Sequence, residues 1–470
     1  MPAHPVIPAL RHATARPDPS ALIAGTEPQS AMTAELKPPL TPAEAEAESS
    51  RCLLCGGPYA PAPCTAACPA GVDVPGFIEA IGRDDPVGAG RIVLESNPLG
   101  GTCARVCPTE VLCEGACVLL HEGQRAVDIG RLQRFAVDSA LLAEEAHAPA
   151  ALDPPNGRPV TVLGAGPAGL AGAADLAALG YAVTVVDDRA EVGGLVRYAI
   201  APYRQLDEPL PLERRRLERL GVRMQMGSAV DTPDKLRAIE AASDAVLLAV
   251  GMGEDAEAGC EGEDLPGVWP SLRFVEAIKA GTLPRVGERA VVIGGGNTAM
   301  DMAREAVRLG AREVTVLYRR TEAEMPAYRH EVEEARAEGV RFAWLTAPLR
   351  FLGHGRLEAV ECRYMRLGEP DASGRRRPEP VPGTEFRMVA DTAVVAVGQR
   401  PRAPFLAWID GLSLERGRIV CDPDTGRTGN PKYFAAGDAV NGGDTVVEAV
   451  RLGRRAAAGI DAALGAEVRP

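Results

Sequence analysis

Apolar residues fall in two regimes along this chain. From Val160 onward, short apolar runs (Val160–Leu163, Ala182–Val186, Ala290–Ile293, Val314–Leu317) alternate with helical stretches that close on Gly180 and Gly310. Runs of this kind, bounded by glycine and separated by helices, predict strands buried on both faces, hence parallel sheets with crossover helices. Upstream, between Arg51 and Ala150, helical patterns such as Pro75–Ile81 and Ile129–Glu145 predict a small α-helical domain, closed by a Pro/Gly-rich linker over Asp153–Pro159. Residues 1 to about 45 are rich in Pro, Ala, Thr and Ser without periodicity and predict a tail carrying no chemistry, with a helix near Pro42–Ser50. The expected organisation is α/β: a tail (1–48), a helical domain (49–150), a dinucleotide domain in two parts (157–284 and 399–470), and a second one inserted between them (285–398).

Composition narrows the class. A chain of 470 residues with 46% hydrophobic content can form about three packed domains. No apolar run reaches the roughly 18 residues of a membrane span, and the first thirty residues lack the apolar stretch of a secretory signal. The expectation is a soluble, cytoplasmic protein. A net charge of -13 opposes polyanions, so nucleic acid is not an expected partner. Four lysines (Lys37, Lys235, Lys279, Lys432) stand among 51 basic residues, a bias best read as genomic. Arg214, Arg215, Arg216 and Arg219 lie in a helical pattern and read as a solvated face.

Two strand–loop–helix units carry chemistry. In the first, Val160–Leu163 runs into Gly164-Ala-Gly166-Pro167-Ala168-Gly169, a helix, and a second strand ending at Asp187. This is a dinucleotide fingerprint: a tight turn, close backbone approach to a pyrophosphate, a helix N-terminus for the anion and an acid for the ribose. In the second, Ala290–Ile293 leads into Gly294-Gly-Gly296-Asn297-Thr298-Ala299, but Tyr318 replaces the acid and Arg319 and Arg320 follow it. Loss of a carboxylate and gain of two guanidiniums fits the 2'-phosphate of NADPH. The alternative is a pair that merely caps a strand at the surface.

Eight of the eleven cysteines fall within 66 residues, at Cys52, Cys55, Cys64, Cys68, Cys103, Cys107, Cys113 and Cys117, with Pro69 and Pro108 after two of them. Thiolates in fours and Cys-Pro runs suit 4Fe-4S clusters. Structural zinc is the competing use of the spacing, and would make the N-terminal region a docking module on a quinone or disulfide reductase. Against the latter, no Cys-x-x-Cys pair occurs after residue 60. Cys260, Cys362 and Cys421 read as ordinary thiols.

From about Arg51 to its end the chain resembles the NADPH-dependent iron-sulfur flavoproteins: the glutamate synthase small subunit, the dihydropyrimidine dehydrogenase N-terminal half or small subunit, and the ferredoxin-dependent transhydrogenase large subunit. Tyr433-Phe-Ala-Ala-Gly437-Asp438, with Thr445 and Val446, resembles their second FAD motif. Gly193-Gly194 resembles the glycine pair near the flavin, and Ala249-Val-Gly251 and Ala396-Val-Gly398 the crossings between domains. Asn97–Cys117 and Asp128–Phe135 look most like the dihydropyrimidine dehydrogenase branch, whereas Tyr318–Pro326 looks more like glutamate synthase. The resemblance implies FAD, NADPH and two 4Fe-4S clusters, one held by Cys52, Cys55, Cys64 and Cys117, the other by Cys68, Cys107, Cys113 and Gln133, leaving Cys103 free. It implies no acid-base residue for hydride transfer, and an FMN-containing catalytic subunit as partner in a hetero-oligomer. The dihydropyrimidine branch is the first expectation, and glutamate synthase the alternative. The eight-residue Cys55–Cys64 loop, with Pro58, Pro61 and Pro63, departs from both.

Overall fold

The computed structural model describes residues 35–145, 154–206, 208–282, 286–371 and 374–466. The expected tail through residue 34, residues 146–150 of the helical domain, and Asp153 of the linker lie outside the described residues.

The helical domain starts earlier than its cysteines. Thr41 and Glu44 form a capping box that starts the helix Pro42–Ser49. Ahead of it, residues 35–38 are anchored: Leu36 N–H donates to the Tyr203 carbonyl, and Lys37 Nζ to Thr109 Oγ1 at 2.9 Å. The tail boundary at 48 is therefore too late. The segment binds because Leu40 and Ala45 have a core to enter. Helices Val74–Gly82 and Pro86–Ser96 pack on Ile129–Glu145, whose Leu132, Ala136, Val137 and Ala140 are fully buried.

The first dinucleotide domain is a five-stranded parallel sheet in the order Tyr433–Ala435, Ala245–Leu248, Pro159–Leu163, Ala182–Val186, Arg223–Gln225. Its edge strand comes from the C-terminus, which makes it discontinuous in sequence, as the motif order implied. The second sheet is also parallel: Val268–Pro270, Thr392–Val395, Arg289–Ile293, Glu313–Tyr318, Arg341–Trp344. The inserted domain thus begins before Val268, not at 285. Its helix Ser271–Lys279 sends Phe274, Val275 and Ile278 into the same core as Met300 and Val316.

The two crossings pair with each other. Gly253 N–H donates to the Arg400 carbonyl, Arg400 N–H to Glu254, and Ala256 N–H to Gly398. The sequence pattern also missed an antiparallel sheet of Thr346–Leu352, Ala359–Pro370, Arg376–Pro380 and Phe386–Val389. One of its faces is solvated, so its strands are arginine- and glutamate-rich and lack the continuous apolar signal of the parallel ones.

The helical domain and the first dinucleotide domain share a core. Leu99 and Cys103 are buried with Ala168, Leu170, Val447 and Val450, and Cys68 and Cys107 pack against this group.

Candidate functional site

Cys52, Cys55, Cys64 and Cys117 line one cavity whose other walls include Leu53, Val74, Ile78, Leu119 and Ile129. Burial pushes the Cys64 thiol up to about 11 and that of Cys52 upward, and neighbouring sulfurs add to both. Four thiols facing one apolar cavity are a donor set that iron would compensate, because coordination replaces the protons. These residues fit a 4Fe-4S cluster.

The second group is Cys68, Cys107 and Cys113: Cys103 is the first cause raising the Cys107 thiol, to which Cys113 and Cys68 add, and burial is the largest cause for Cys68 and Cys113, the latter also raised by Cys68. Gln133, on the helix Ile129–Glu145, donates Nε2–H to the Gly100 carbonyl at 2.8 Å. That bond fixes the amide and leaves Oε1 as its acceptor end. Cys103, read as free, lies beside Cys107 and is buried. Charge surrounds this group: Lys37 Nζ lies 3.3 Å from Glu110 Oε1, and burial holds the Glu114 carboxyl up at about 7 while it accepts from Gly130 N–H. Of the three, only Lys37 was hidden in sequence; Glu110 and Glu114 stand beside Cys113 in the chain.

In the first dinucleotide loop Gly164 adopts φ +109°, and a Cβ there would run into the Ala249 carbonyl. Gly166 differs: only the Gly194 Cα comes within 4 Å of its Cβ position, at 3.9 Å, which leaves the space a pyrophosphate needs. Asp187, pushed up by burial, accepts from Ala165 N–H at 2.6 Å and Arg189 N–H at 2.8 Å. Gly193 N–H donates to the Ala165 carbonyl, bringing the Gly193-Gly194 pair onto the loop. Gly437 reaches the same place from the C-terminus, packed close to Ala168 at the start of the helix Pro167–Ala178. Asp438, raised by burial, accepts from the backbone of Asp444, next to Thr445 and Val446 at the start of the helix Val446–Ala466. Residues from four separate segments thus converge as FAD requires. Sequence reasoning missed Gly453, where a side chain would strike the Ala168 carbonyl; its one signal was a glycine inside a helix.

The second loop repeats the geometry with altered chemistry. Nothing lies within 4 Å of a Cβ position on Gly296, again leaving room for an anion, and a Cβ on Gly295 would meet the Tyr318 ring. Tyr318 thus packs under the loop, its hydroxyl donating to the Glu324 carbonyl at 2.9 Å. Asn297, which with Thr298 opens the helix Asn297–Arg308, accepts from Tyr328 N–H at 2.9 Å. The arginines part company. Arg319 is exposed and without a partner among the described residues, which suits a 2'-phosphate. Arg320 departs from the expectation: it is buried and donates Nε–H to the Arg376 carbonyl and Nη2–H to Asp371, both at 2.7 Å. The antiparallel sheet it fastens was the element the sequence did not reveal. Gly251, at φ +62°, lies at the domain crossing, with nothing within 4 Å of its Cβ position.

The inserted domain is also held against the others. Arg204 Nη2 contacts Asp301 at 2.7 Å and Glu331 at 2.5 Å, Tyr203 Oη donates to Asp301, and His330 Nε2 lies 3.8 Å from Glu110 of the helical domain.

Comparison with known proteins agrees with this geometry. Residues 158–453 match the pyridine nucleotide-disulphide oxidoreductase family and residues 29–145 the family described as dihydropyrimidine dehydrogenase domain II, 4Fe-4S cluster. The glutamate synthase [NADPH] small chain of Halomonas elongata is 38% identical, covering 91% of this chain and 92% of that one. The NADP(+)-dependent formate dehydrogenase subunit beta of Moorella thermoacetica is 37% identical over 86% of this chain but 60% of its own. Among solved structures, Mycobacterium tuberculosis FprA in complex with NADPH shares the fold at a TM-score of 0.55 and 22% identity, over 67% of this chain and 86% of that one. No helix among the described residues is long and apolar enough to cross a membrane. The chain belongs to the NADPH-dependent FAD and iron-sulfur oxidoreductases, in which a 4Fe-4S domain is joined to a pyridine nucleotide-disulphide oxidoreductase module.

Proposed function

We propose that this chain is the electron-input subunit of a glutamate synthase, passing electrons from NADPH to an FMN-bearing partner that forms glutamate from 2-oxoglutarate and glutamine. The observation that carries the reading is similarity across the aligned region: 38% identity to the glutamate synthase small chain of Halomonas elongata over 91% of this chain and 92% of that one. The Tyr318–Pro326 segment, whose Tyr318 underlies the nucleotide loop, points the same way. This alternative is preferred to the dihydropyrimidine dehydrogenase reading, which Gln133 favours.

FAD bound here would supply a hydride acceptor for the nicotinamide and a source of single electrons for iron-sulfur centres. The residues proposed to hold it are Gly164, Gly166, Asp187, Gly193, Gly194, Gly437, Asp438 and Thr445. Gly294, Gly296, Asn297, Thr298 and Arg319 hold the NADPH. Cys68, Cys107 and Cys113, with Gln133, would hold the flavin-side cluster, since Cys68 and Cys107 pack on the core shared with Ala168 and Val447. Cys52, Cys55, Cys64 and Cys117 would hold the outer one, in the cavity they line beside the helical core. No side chain is needed as acid or base for hydride transfer; the chain orients and separates the groups.

The isolated chain is expected to reduce artificial dyes with NADPH but to form no glutamate until the FMN-bearing subunit from the same cell is added. Glutamate formation by the chain alone, or activation only by a uracil-reducing partner, would overturn the reading.

A further inference from the structure

Tyr203 touches every part of the molecule. It belongs to the first dinucleotide domain, between the Gly193-Gly194 pair and the helix Leu210–Arg219, and is fully buried. Its carbonyl accepts at 2.9 Å from the N–H of Leu36, in the segment that leads into the helical domain. Its side chain faces the inserted domain. The hydroxyl donates to Asp301 Oδ1, and the guanidiniums of Arg304 and Arg308 lie over the ring, 4.7 and 4.6 Å from its centroid. Arg204, next in the chain, donates Nε–H to the same Asp301 oxygen at 2.7 Å and reaches Glu331 with Nη2 at 2.5 Å. Asp301, Arg304 and Arg308 stand at i, i+3 and i+7 on the helix Asn297–Arg308, so two residues of the first dinucleotide domain grip one face of it. That helix opens on Asn297 and Thr298, directly after the Gly296 that leaves room for an anion.

We propose that Tyr203 and Arg204 are positioning residues for hydride transfer: by gripping the helix Asn297–Arg308 from the side, they fix where its N-terminus holds NADPH relative to the flavin. The inference rests on the proposed assignment of the two nucleotide loops. The gripped face is polar and buried, with Arg304 1% and Glu305 0% exposed. Burying charge adds little stability, because desolvation offsets the attraction, but it selects one register: a helix that slid or turned would leave guanidiniums and carboxylates buried without partners. The grip also lies close to the nucleotide. Asp301 is four residues from Asn297, about 6 Å along the axis, so a shift at Asp301 is passed to the N-terminus by a single helical turn. Hydride transfer requires reacting atoms roughly 3 to 3.5 Å apart, and a misplacement of about 1 Å costs on the order of 100-fold. Binding is a different matter. Gly294, Gly296, Asn297, Thr298 and Arg319 all belong to the inserted domain, so the nucleotide's own contacts survive when the grip is released.

The test uses the full chain as wild type, Arg204→Met and Tyr203→Phe, each with its FAD content assayed. Anaerobic rapid mixing with NADPH gives the dissociation constant from the concentration dependence, the limiting rate of flavin reduction, and the long-wavelength charge-transfer absorbance of a nicotinamide stacked on a flavin. Arg204→Met should lower the limiting rate about tenfold or more and weaken the charge-transfer absorbance, while the dissociation constant stays within about twofold of wild type. Tyr203→Phe keeps the ring under both guanidiniums and loses only the hydroxyl, so it should show the same pattern at smaller size. It decides the matter by the same readings if Arg204→Met does not retain FAD. A wild-type limiting rate and absorbance in FAD-loaded variants would overturn the proposal, and so would a raised dissociation constant with the limiting rate unchanged. Wild-type chain whose flavin NADPH does not reduce would sink the loop assignment as well, whereas unmoved variants sink this inference alone.

Discussion

Tyr318, Arg319 and Arg320 stand side by side, and their surroundings give them unlike tasks. Arg319, exposed and without a partner among the described residues, is the guanidinium proposed for a 2'-phosphate. Arg320 closes an ion pair with Asp371 under the antiparallel sheet. Arg319→Ala should therefore lower the preference for NADPH over NADH in flavin reduction by about 1.5 to 3 kcal/mol, roughly 10- to 150-fold, with stability unchanged. Arg320→Ala should leave that ratio alone and destabilise the chain by about 2 kcal/mol, visible as a lower Tm. Measuring both quantities for both variants separates the roles. A sequence shows an arginine's neighbours along the chain, not a partner 51 residues away, so the pair was legible as chemistry and its division was not. The cysteine sets were more open, because four thiols at suitable spacing state their chemistry wherever the chain folds; which thiol sits beside which required the helix Gly100–Val106.

At the scale of elements, the parallel strands were readable because both their faces are apolar, while the antiparallel sheet was not, because half its residues face water. Domain contacts were equally hidden, being polar and long-range. One is the buried Glu213 on the helix Leu210–Arg219, which accepts from Thr102 N–H at 2.8 Å and Thr102 Oγ1–H at 2.6 Å and so ties the flavin-type domain to the Gly100–Val106 helix. Burial raises its carboxyl to about 7. A carboxyl with a higher pKa folded than unfolded binds its proton more tightly in the folded state, so its contribution is full below the unfolded value near 4.5 and is lost as pH rises to 7. Stability should fall by about 3 kcal/mol across that window from this group alone, and Glu213→Gln should flatten the dependence in urea titrations at pH 5 and pH 8. A second contact is Glu331 on the helix Arg329–Ala337. Despite burial, His330, Arg204 and Arg304 hold its carboxyl far below the usual carboxylate range. Arg304 is 1% exposed, and Glu331→Ala would weaken its pairing while leaving Glu334 and Glu338. The expected cost is about 3 kcal/mol, with looser docking of the inserted domain and slower flavin reduction at saturating NADPH. Full speed in a destabilised variant would show that the contact serves stability alone.

Across the whole molecule the sequence announced its parts in order, and the fold arranges them as a path: nucleotide loop, flavin-type domain, Cys68 and Cys107 at the shared core, then Cys52, Cys55, Cys64 and Cys117 in the helical core. The order was legible because each motif states its own cofactor; the adjacency was not, because it depends on Leu99 and Cys103 burying against Ala168 and Val447. This arrangement makes the two clusters unequal to loss. Of the outer cysteines, Cys52, Cys64 and Cys117 belong to the helical core with Phe77, Ile78 and Leu132. Wild-type chain should hold about eight iron atoms and one FAD. Cys55→Ser should lose about half that iron, since a cluster site is completed by its thiolates, and with it some stability of the helical domain, because ligand binding to the folded state contributes to folding. Its FAD content and rate of flavin reduction by NADPH should be unchanged, while electron delivery to the proposed partner should stop, as the proposed order makes the outer cluster its last station. Cys107→Ser should also spare flavin reduction but leave the outer cluster oxidised when NADPH is added. Rapid-mixing absorbance with freeze-quench EPR reads these steps separately. If the outer cluster is reduced as fast in Cys107→Ser as in wild type, electrons do not pass through the Cys107 site, and the sequential path is wrong.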